Sequence, residues 1–235
     1  MSALVLLSNL LTHSRLKSAR ACKRQHKFRY VDGYRAAVDA IELVFGDLIH
    51  KGLEAWWLAV KAGLPAEEWL QHAVAALRAV PAIDPYDLAR AEVMMLGYHE
   101  RWADEALLYE VLGVEESFEA PLINPATGAA STFWRLGGKL DVRLRRRSDG
   151  RRGFMEHKSS GEDVSLGSTY WKRLQLDGQV SIYFDGHAAL AGELADFCLY
   201  DVLGKPGLRP LKATPVESRK YTKDGKLYAN QRAAD

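Results

Sequence analysis

The sequence predicts a mixed α/β (α+β) fold, in which a mixed central sheet is flanked by helices and preceded by a mainly helical N-terminal part. Three observations predict it. Apolar residues recur at helical spacing from about Arg15 to Leu112. Strand-like runs bounded by turn signals follow at Ser117 to Ile123, Phe133 to Arg147 and Gly153 to Lys158. A helical segment from Tyr170 to Phe184 then crosses to an apolar strand at Ala195 to Val202. Consecutive runs joined by turns make an antiparallel meander, and the strand reached through a helix makes the sheet mixed.

In the helical part, the stretch from about Tyr34 to Ala62 carries Ile41, Val44, Phe45, Leu48, Ile49 and Leu53 as an apolar stripe. Breaks are expected near Gly63-Leu64-Pro65 and again from Pro81 to Pro85. On the first helix, Gly46 leaves room for another element to approach. His50, four residues on, either faces an acidic site or is an ordinary structural histidine. Asn124 to Gly128 and Ser148 to Gly150 read as turns. Between them Leu140, Val142 and Leu144 alternate with Lys139, Asp141 and Arg143, so the apolar set should face one core and leave Asp141 on the other face. The six tryptophans read as packing anchors. We expect one domain over 1–235, mainly helical over 1–112, with a sheet core over 113–204 and a basic C-terminal extension over 205–235. Residues 218 to 235 read as a polar connector that starts a helix and stops, as in a truncated chain or a short one with a mobile tail.

A chain of 235 residues, 48% hydrophobic, can bury a sizeable core. No apolar run approaches the roughly 20 residues that span a bilayer, and Ala3 to Leu11 lacks the pattern of a secretory signal, so a cytoplasmic protein without a membrane partner is expected. Two cysteines, Cys22 and Cys198, argue against a disulfide framework and fit a reducing compartment. The formal net charge of +2 conceals segregation: residues 1 to 31 hold seven Lys or Arg and no acid, whereas ten acids face two arginines from 81 to 120. Arg143, Arg145, Arg146, Arg147, Arg151 and Arg152 flank the expected hairpin turn, and eight Lys or Arg lie between Lys205 and Arg232. These basic segments are either a DNA surface or ordinary solvated charge.

The chemistry-bearing residues begin with Gly138-x-x-Asp141, followed by Glu156-His157-Lys158. In a strand, Glu156 and Lys158 point the same way, and a hairpin closed at Ser148 to Gly150 would let Asp141 meet Glu156. Two carboxylates about 4 Å apart repel by roughly 4 kcal/mol at an effective dielectric near 20, a penalty that a divalent cation removes. Magnesium suits such a pair, because it takes one or two carboxylates and leaves room for waters and phosphate oxygens. Lys158 would orient or deprotonate a water, or offset phosphate charge. Spacing alone also fits a surface cluster across a hairpin. Gln179-x-x-x-Tyr183 sets an amide and a phenol on one helix face, where they either bond a phosphate or sugar or are a buried tyrosine and a satisfied amide. The chain lacks Gly-x-Ser-x-Gly, His-Glu-x-x-His and a phosphate-binding Gly-x-x-x-x-Gly-Lys-Ser/Thr loop.

In this order His50, Asp141, Glu156-x-Lys158 and Gln179-x-x-x-Tyr183 resemble the RecB-like exonuclease branch of the PD-(D/E)XK nuclease superfamily. Ser14 to Tyr30, with Cys22 followed by Lys23, Arg24, Phe28 and Tyr30, is similar to the opening segment of phage recombination and CRISPR-associated exonucleases. The resemblance implies a restriction-endonuclease-like core and a Mg2+- or Mn2+-dependent DNA exonuclease acting in recombination, repair or phage DNA processing. It assigns catalysis to Asp141, Glu156 and Lys158. The metal falls to His50, Asp141, Glu156 and the His157 carbonyl, and DNA contact to Gln179 and Tyr183. Arg145 and Arg147 are added to the DNA contacts on charge. A helicase or recombination partner is allowed, and oligomeric state is not indicated. Leu140 stands where the superfamily name has proline, and Glu156 replaces the aspartate of strict RecB proteins. Two cysteines fall short of the four thiolates an iron-sulfur cluster needs. A DNA endonuclease of the same fold and an inactive DNA-binding module are the alternatives.

Overall fold

The computed structural model describes residues 9–37, 40–207, 214–228 and 231, without the side chain of Ile41. The apolar start before Asn9, and Arg209, Lys212 and Arg232 of the basic C-terminal stretch, lie outside the described residues. The chain divides into two compact units, 1–205 and 206–235.

In the first unit, β1 (Leu10–Leu11) leads into α1 (His13–Ala21), whose N-terminus is capped by Thr12 accepting from the Arg15 N–H. A short α2 (Lys23–His26) runs into a π-turn over Lys27–Val31. Three helices follow: α3 (Ile41–Lys61), α4 (Ala66–Arg78) and α5 (Pro85–Ala106). The last begins as its sequence dictates, with Asp84 accepting from the Tyr86 and Asp87 N–H groups and Pro85 in the first turn. Then come β2 (Tyr109–Ile123), β3 (Ala130–Arg146), β4 (Arg152–Ser160), α6 (Thr169–Leu174), α7 (Gly178–Ala191) and β5 (Phe197–Gly204). The second unit holds a 3-10 turn at Val216–Ser218 and a bridge between Tyr221 and Leu227.

The sheet is mixed, as expected. Strand β3 pairs antiparallel with β2 along one edge, and β4 pairs antiparallel with β3 and parallel with β5. The other edge of β3 is shared, because β1 lies parallel to it at Arg135 and Leu136 and β4 joins only from Val142 onward. Among the described residues, the stretch of β3 between those two pairings has no strand on that edge.

Helices α3, α4 and α5 bury Trp56, Trp57, Trp69, Leu77, Met95 and Tyr98 against one face, together with Val142, Leu144 and Met155 of the sheet. Helix α7 covers the other face, where Phe118, Leu136, Leu140, Phe154 and Tyr183 form a second cluster. Close approach within the helical layer occurs at Gly52, where a Cβ would meet Leu77 and Met95 at 3.1 Å, rather than at Gly46.

Four expectations need correction. The first long helix starts at Ile41, because Tyr34 to Ala37 is non-helical and the Arg35 guanidinium donates to the Arg29 and Tyr34 carbonyls. The helical part ends at Ala106, and β2 begins at Tyr109 because Glu110 and Glu116 find Arg145 and Arg143 across the sheet. The helix expected from Tyr170 to Phe184 is broken, since Asp177 caps a new start by accepting from the Gln179 N–H at 2.8 Å. Finally, Leu140 does not share a core with Val142 and Leu144. It packs in the α7 cluster and they pack under α3 to α5, so the side-chain alternation changes phase at Asp141.

Candidate active site

That change of phase has a backbone cause directly across the ladder. Val114 lies opposite Val142 and Glu116 opposite Leu140, which places Glu115 opposite Asp141. Glu115 has φ +54, one of two positive-φ non-glycine residues described. Left-handed backbone at a glutamate costs on the order of 1 to 3 kcal/mol and is retained where the surroundings hold it. Its effect here is to swing two facing acids out of the regular pleat.

Helix α3 lies over the same point. The ligand atoms of His50, Glu115 and Asp141 all lie within 4.8 Å of one another. His50 Nδ1 stands 3.7 Å from Asp141 Oδ1, while Asp141 Oδ2 accepts the backbone N–H of His157 at 2.7 Å. Asp141 is 7% exposed. Burial holds the His50 imidazole below its ordinary pKa against the opposing pull of Asp141, which favours the neutral form that binds metals. Burial likewise raises the Glu115 carboxyl; the hydrogen bond from Lys139 acts against it and the Asp141 charge with it.

Glu156 stands outside that group of three. It is 2% exposed, its Oε1 is held by Lys158 Nζ and by Gln179 Nε2 (3.0 Å), and its Oε2 is buried with no hydrogen-bond partner. Burial, then the Asp141 charge, raises its pKa to about 7, with Lys158 acting in the opposite sense. A buried carboxylate oxygen without a donor is costly, and a cation shared with Asp141 is one way to satisfy it. The donor set of one imidazole and hard carboxylate oxygens fits a divalent ion.

Gln179 also donates to the Tyr183 hydroxyl at 2.8 Å, so the amide and phenol one turn apart bond each other and the acid beside them. Burial, then the Glu156 charge, raises the Tyr183 phenol far above its ordinary value. Gln179 and Tyr183 line a cleft of about 580 Å³ together with Thr12, His13, Gly138 and Lys139.

The His157 side chain points the other way, into the layer under α3 to α5. Its Nδ1 lies 3.1 Å from Asp201 Oδ2, Trp102 Nε1 donates to the other Asp201 oxygen at 3.3 Å, and the imidazole sits against the rings of Trp57 and Tyr98. Burial, the largest single influence, would lower its pKa; the hydrogen bond and charge of Asp201, joined by the charges of Asp141 and Glu156, turn the net shift upward.

The structure therefore gathers His50, Asp141, Glu156, Lys158, Gln179 and Tyr183 around the point where β3 and β4 stop pairing. It adds Glu115, which the sequence reading did not name. Arg145 and Arg147 stand apart: Arg145 is four residues along β3 from Asp141, roughly 13 Å at the strand rise. It pairs with Glu110, while Arg147 donates to the Tyr109 carbonyl. Arg143, Arg146 and Arg152 are paired as well, with Glu116, Asp149 and Glu193. The hairpin arginines are thus largely neutralised, at the end of the sheet away from Lys158. Among the described residues, no helix is long and apolar enough to cross a membrane.

No curated protein sequence matches the chain significantly. A solved structure titled "Crystal structure of SSO0001" is similar at 14% identity, covering 88% of this chain and 74% of that one, with a TM-score of 0.29. The family model of the PD-(D/E)XK nucleases matches residues 10–221, and the mixed sheet between helical layers is the restriction-endonuclease-like architecture. The acids facing each other across β2, β3 and β4 lie within that span, and the chain belongs to the PD-(D/E)XK nuclease superfamily.

Proposed function

We propose that the protein is a Mg2+- or Mn2+-dependent DNA exonuclease of the RecB-like branch, serving recombination, repair or phage DNA processing. The observation that carries the reading is the convergence of His50, Glu115 and Asp141 within 4.8 Å, beside a buried Glu156 whose free oxygen lacks a donor. These four side chains would hold the ion, with the His157 carbonyl as the further ligand the resemblance implies. Such an ion supplies an acidified water and neutralises charge on the scissile phosphate. Lys158, its ammonium held by Glu156, would orient the attacking water or offset phosphate charge. Gln179 would fix the Glu156 carboxylate and, with Tyr183, seat the DNA strand in the adjoining cleft. Arg145 and Arg147 would meet only DNA that extends to the hairpin end. Association with a helicase or recombination protein belongs to the same reading, and the two free cysteines support the cytoplasm as its compartment.

End-labelled linear DNA, incubated with and without Mg2+ or Mn2+, tests this. Metal-dependent release of end nucleotides by the wild type, lost in Asp141→Ala and Lys158→Ala, is expected. Equal activity in all three removes the reading, and nicking of covalently closed circles would replace exonuclease by endonuclease.

A further inference from the structure

Away from the catalytic acids, the turn after α2 builds a second groove of about 760 Å³, lined by Arg24, Arg29, Arg35, Phe28 and Tyr34 with Cys22 at its edge. Two features occur together there. The first is that its charge is not spent. Arg78, Arg101, Arg135, Arg143, Arg145, Arg146, Arg152 and Arg173 each pair with a carboxylate. Among the described residues no carboxylate pairs with Arg24, Arg29 or Arg35: Arg24 lies over the Phe28 ring, Arg29 over Tyr30, and Arg35 binds two backbone carbonyls. The second is that the rings are presented rather than buried. Phe28 is 41% and Tyr34 69% exposed, and they meet edge to face at 5.9 Å.

Arginines that hold phosphates beside open aromatic faces are how single-stranded nucleic acid is bound without sequence preference. The groove and the cleft beside the acids lie at opposite ends of one helix. Thr12, His13 and Ser14 line that cleft at the start of α1, and Cys22, just past the end of the same helix, lines the groove. Nine helical residues separate the two by about 14 Å. Lys17 and Arg20 lie on the helix between them.

We propose that this groove is a binding site for single-stranded DNA, which holds the part of the strand lying about one helix length from the cleft where it is cut. The choice of DNA rests on the nuclease reading; the choice of a single strand rests on the groove. Phosphates bind Arg24, Arg29 and Arg35, and bases stack on Phe28 and Tyr34. A duplex, whose bases are already stacked inward, gains only from the arginines.

The test measures binding of a fluorescent oligo-dT of about 16 nucleotides and a matching duplex to the whole protein, with chelator present so that nothing is cut. The variants are Phe28→Ala/Tyr34→Ala and Arg24→Gln/Arg29→Gln/Arg35→Gln, with circular dichroism to show that each is folded. The aromatic variant should bind the single strand about ten-fold or more weaker and the duplex unchanged. The arginine variant should lower the slope of log affinity against log salt by about 2. With metal restored, KM for the long oligonucleotide should rise in both variants, while KM for one of about 4 nucleotides stays fixed. Unchanged single-strand binding in folded variants overturns the proposal. So does an equal loss on duplex and single strand, which would mark a plain polyanion surface, and so does binding of an acidic peptide that oligo-dT fails to displace. Loss of oligo-dT binding in the variants of a wild type that never cuts DNA would sink the nuclease reading and leave this one standing.

Discussion

The His157 backbone N–H donates to the Asp141 carboxylate at 2.7 Å, at the point where β3 and β4 stop pairing. The last ladder pair is Val142 with Met155, and beyond it a side chain takes over the work of a strand. One oxygen of Asp141 is thereby structural and the other is left toward His50. Asp141→Asn keeps an acceptor for that N–H and should change stability by less than about 1 kcal/mol. Asp141→Ala leaves a buried donor unpaired and should cost about 1 to 3 kcal/mol. Both should lose Mn2+ binding in a calorimetric titration. Urea midpoints that coincide for the two variants would show that the contact contributes nothing.

Glu115 carries the strain of the site. At φ +54 a glycine is unstrained and an alanine is not. Glu115→Gly should therefore be more stable than Glu115→Ala by about 1 kcal/mol, while both weaken metal binding alike. A higher urea midpoint for the alanine variant would place the strain elsewhere. The separation of the two readouts distinguishes a ligand held in a costly conformation from a residue serving the fold.

Why Glu115 escaped the sequence reading is a matter of register. The hairpin turn leaves Ile123 opposite Ala130, and simple counting back along the strands sets Asp141 opposite Leu112. Irregularities between Pro121 and Ile123 slip the pairing by three residues, and only then does Glu115 face Asp141. By contrast, Glu156 and Lys158 were legible because two residues of one strand share a face whatever the register. Gln179 and Tyr183 were legible for the matching reason on a helix. The α/β layering was readable from periodicity alone. The broken helix at Asp177 was not, because its cap depends on one side chain turning back on the Gln179 N–H. Nor was the ion pairing of the hairpin arginines, whose partners Glu110, Glu116 and Glu193 come from other elements.

Glu156 makes metal-free stability depend on pH. Its carboxyl is raised from 4.5 to about 7 in the folded chain, first by burial and then by Asp141. Between these values the folded state keeps a proton that the unfolded state has released. Stability from this group therefore falls as pH rises from about 4.5 to 7, and the full penalty is present above 7. In Glu156→Gln that slope is absent, so the variant should gain on the wild type between pH 5 and pH 8 by up to a few kcal/mol. Added Mg2+ or Mn2+ should raise the melting temperature of the wild type at pH 8 much more than that of the variant. Melting temperatures that run parallel from pH 5 to 8 without metal would show that Glu156 is not buried as an unsatisfied acid.

The position of α7, and with it Gln179 and Tyr183, depends on a glycine that nothing can replace. At Gly186 a Cβ would stand 2.4 Å from the Phe118 ring, whereas at Gly97, in the middle of α5, it would meet nothing within 4 Å. Both residues lie inside helices, where alanine is otherwise favoured by roughly 1 kcal/mol. Gly97→Ala should stabilise by about that amount. Gly186→Ala must push α7 away from the sheet, because Phe118 is a buried ring held between Gly138 and Tyr183 and has no free end to yield. We expect a loss of about 1 to 3 kcal/mol in urea unfolding. Cleavage should fall in kcat as well as stability, since Gln179 would no longer reach Glu156 at 3.0 Å. If Gly186→Ala proved as stable and as active as Gly97→Ala, α7 would not be what holds the Glu156 carboxylate in place.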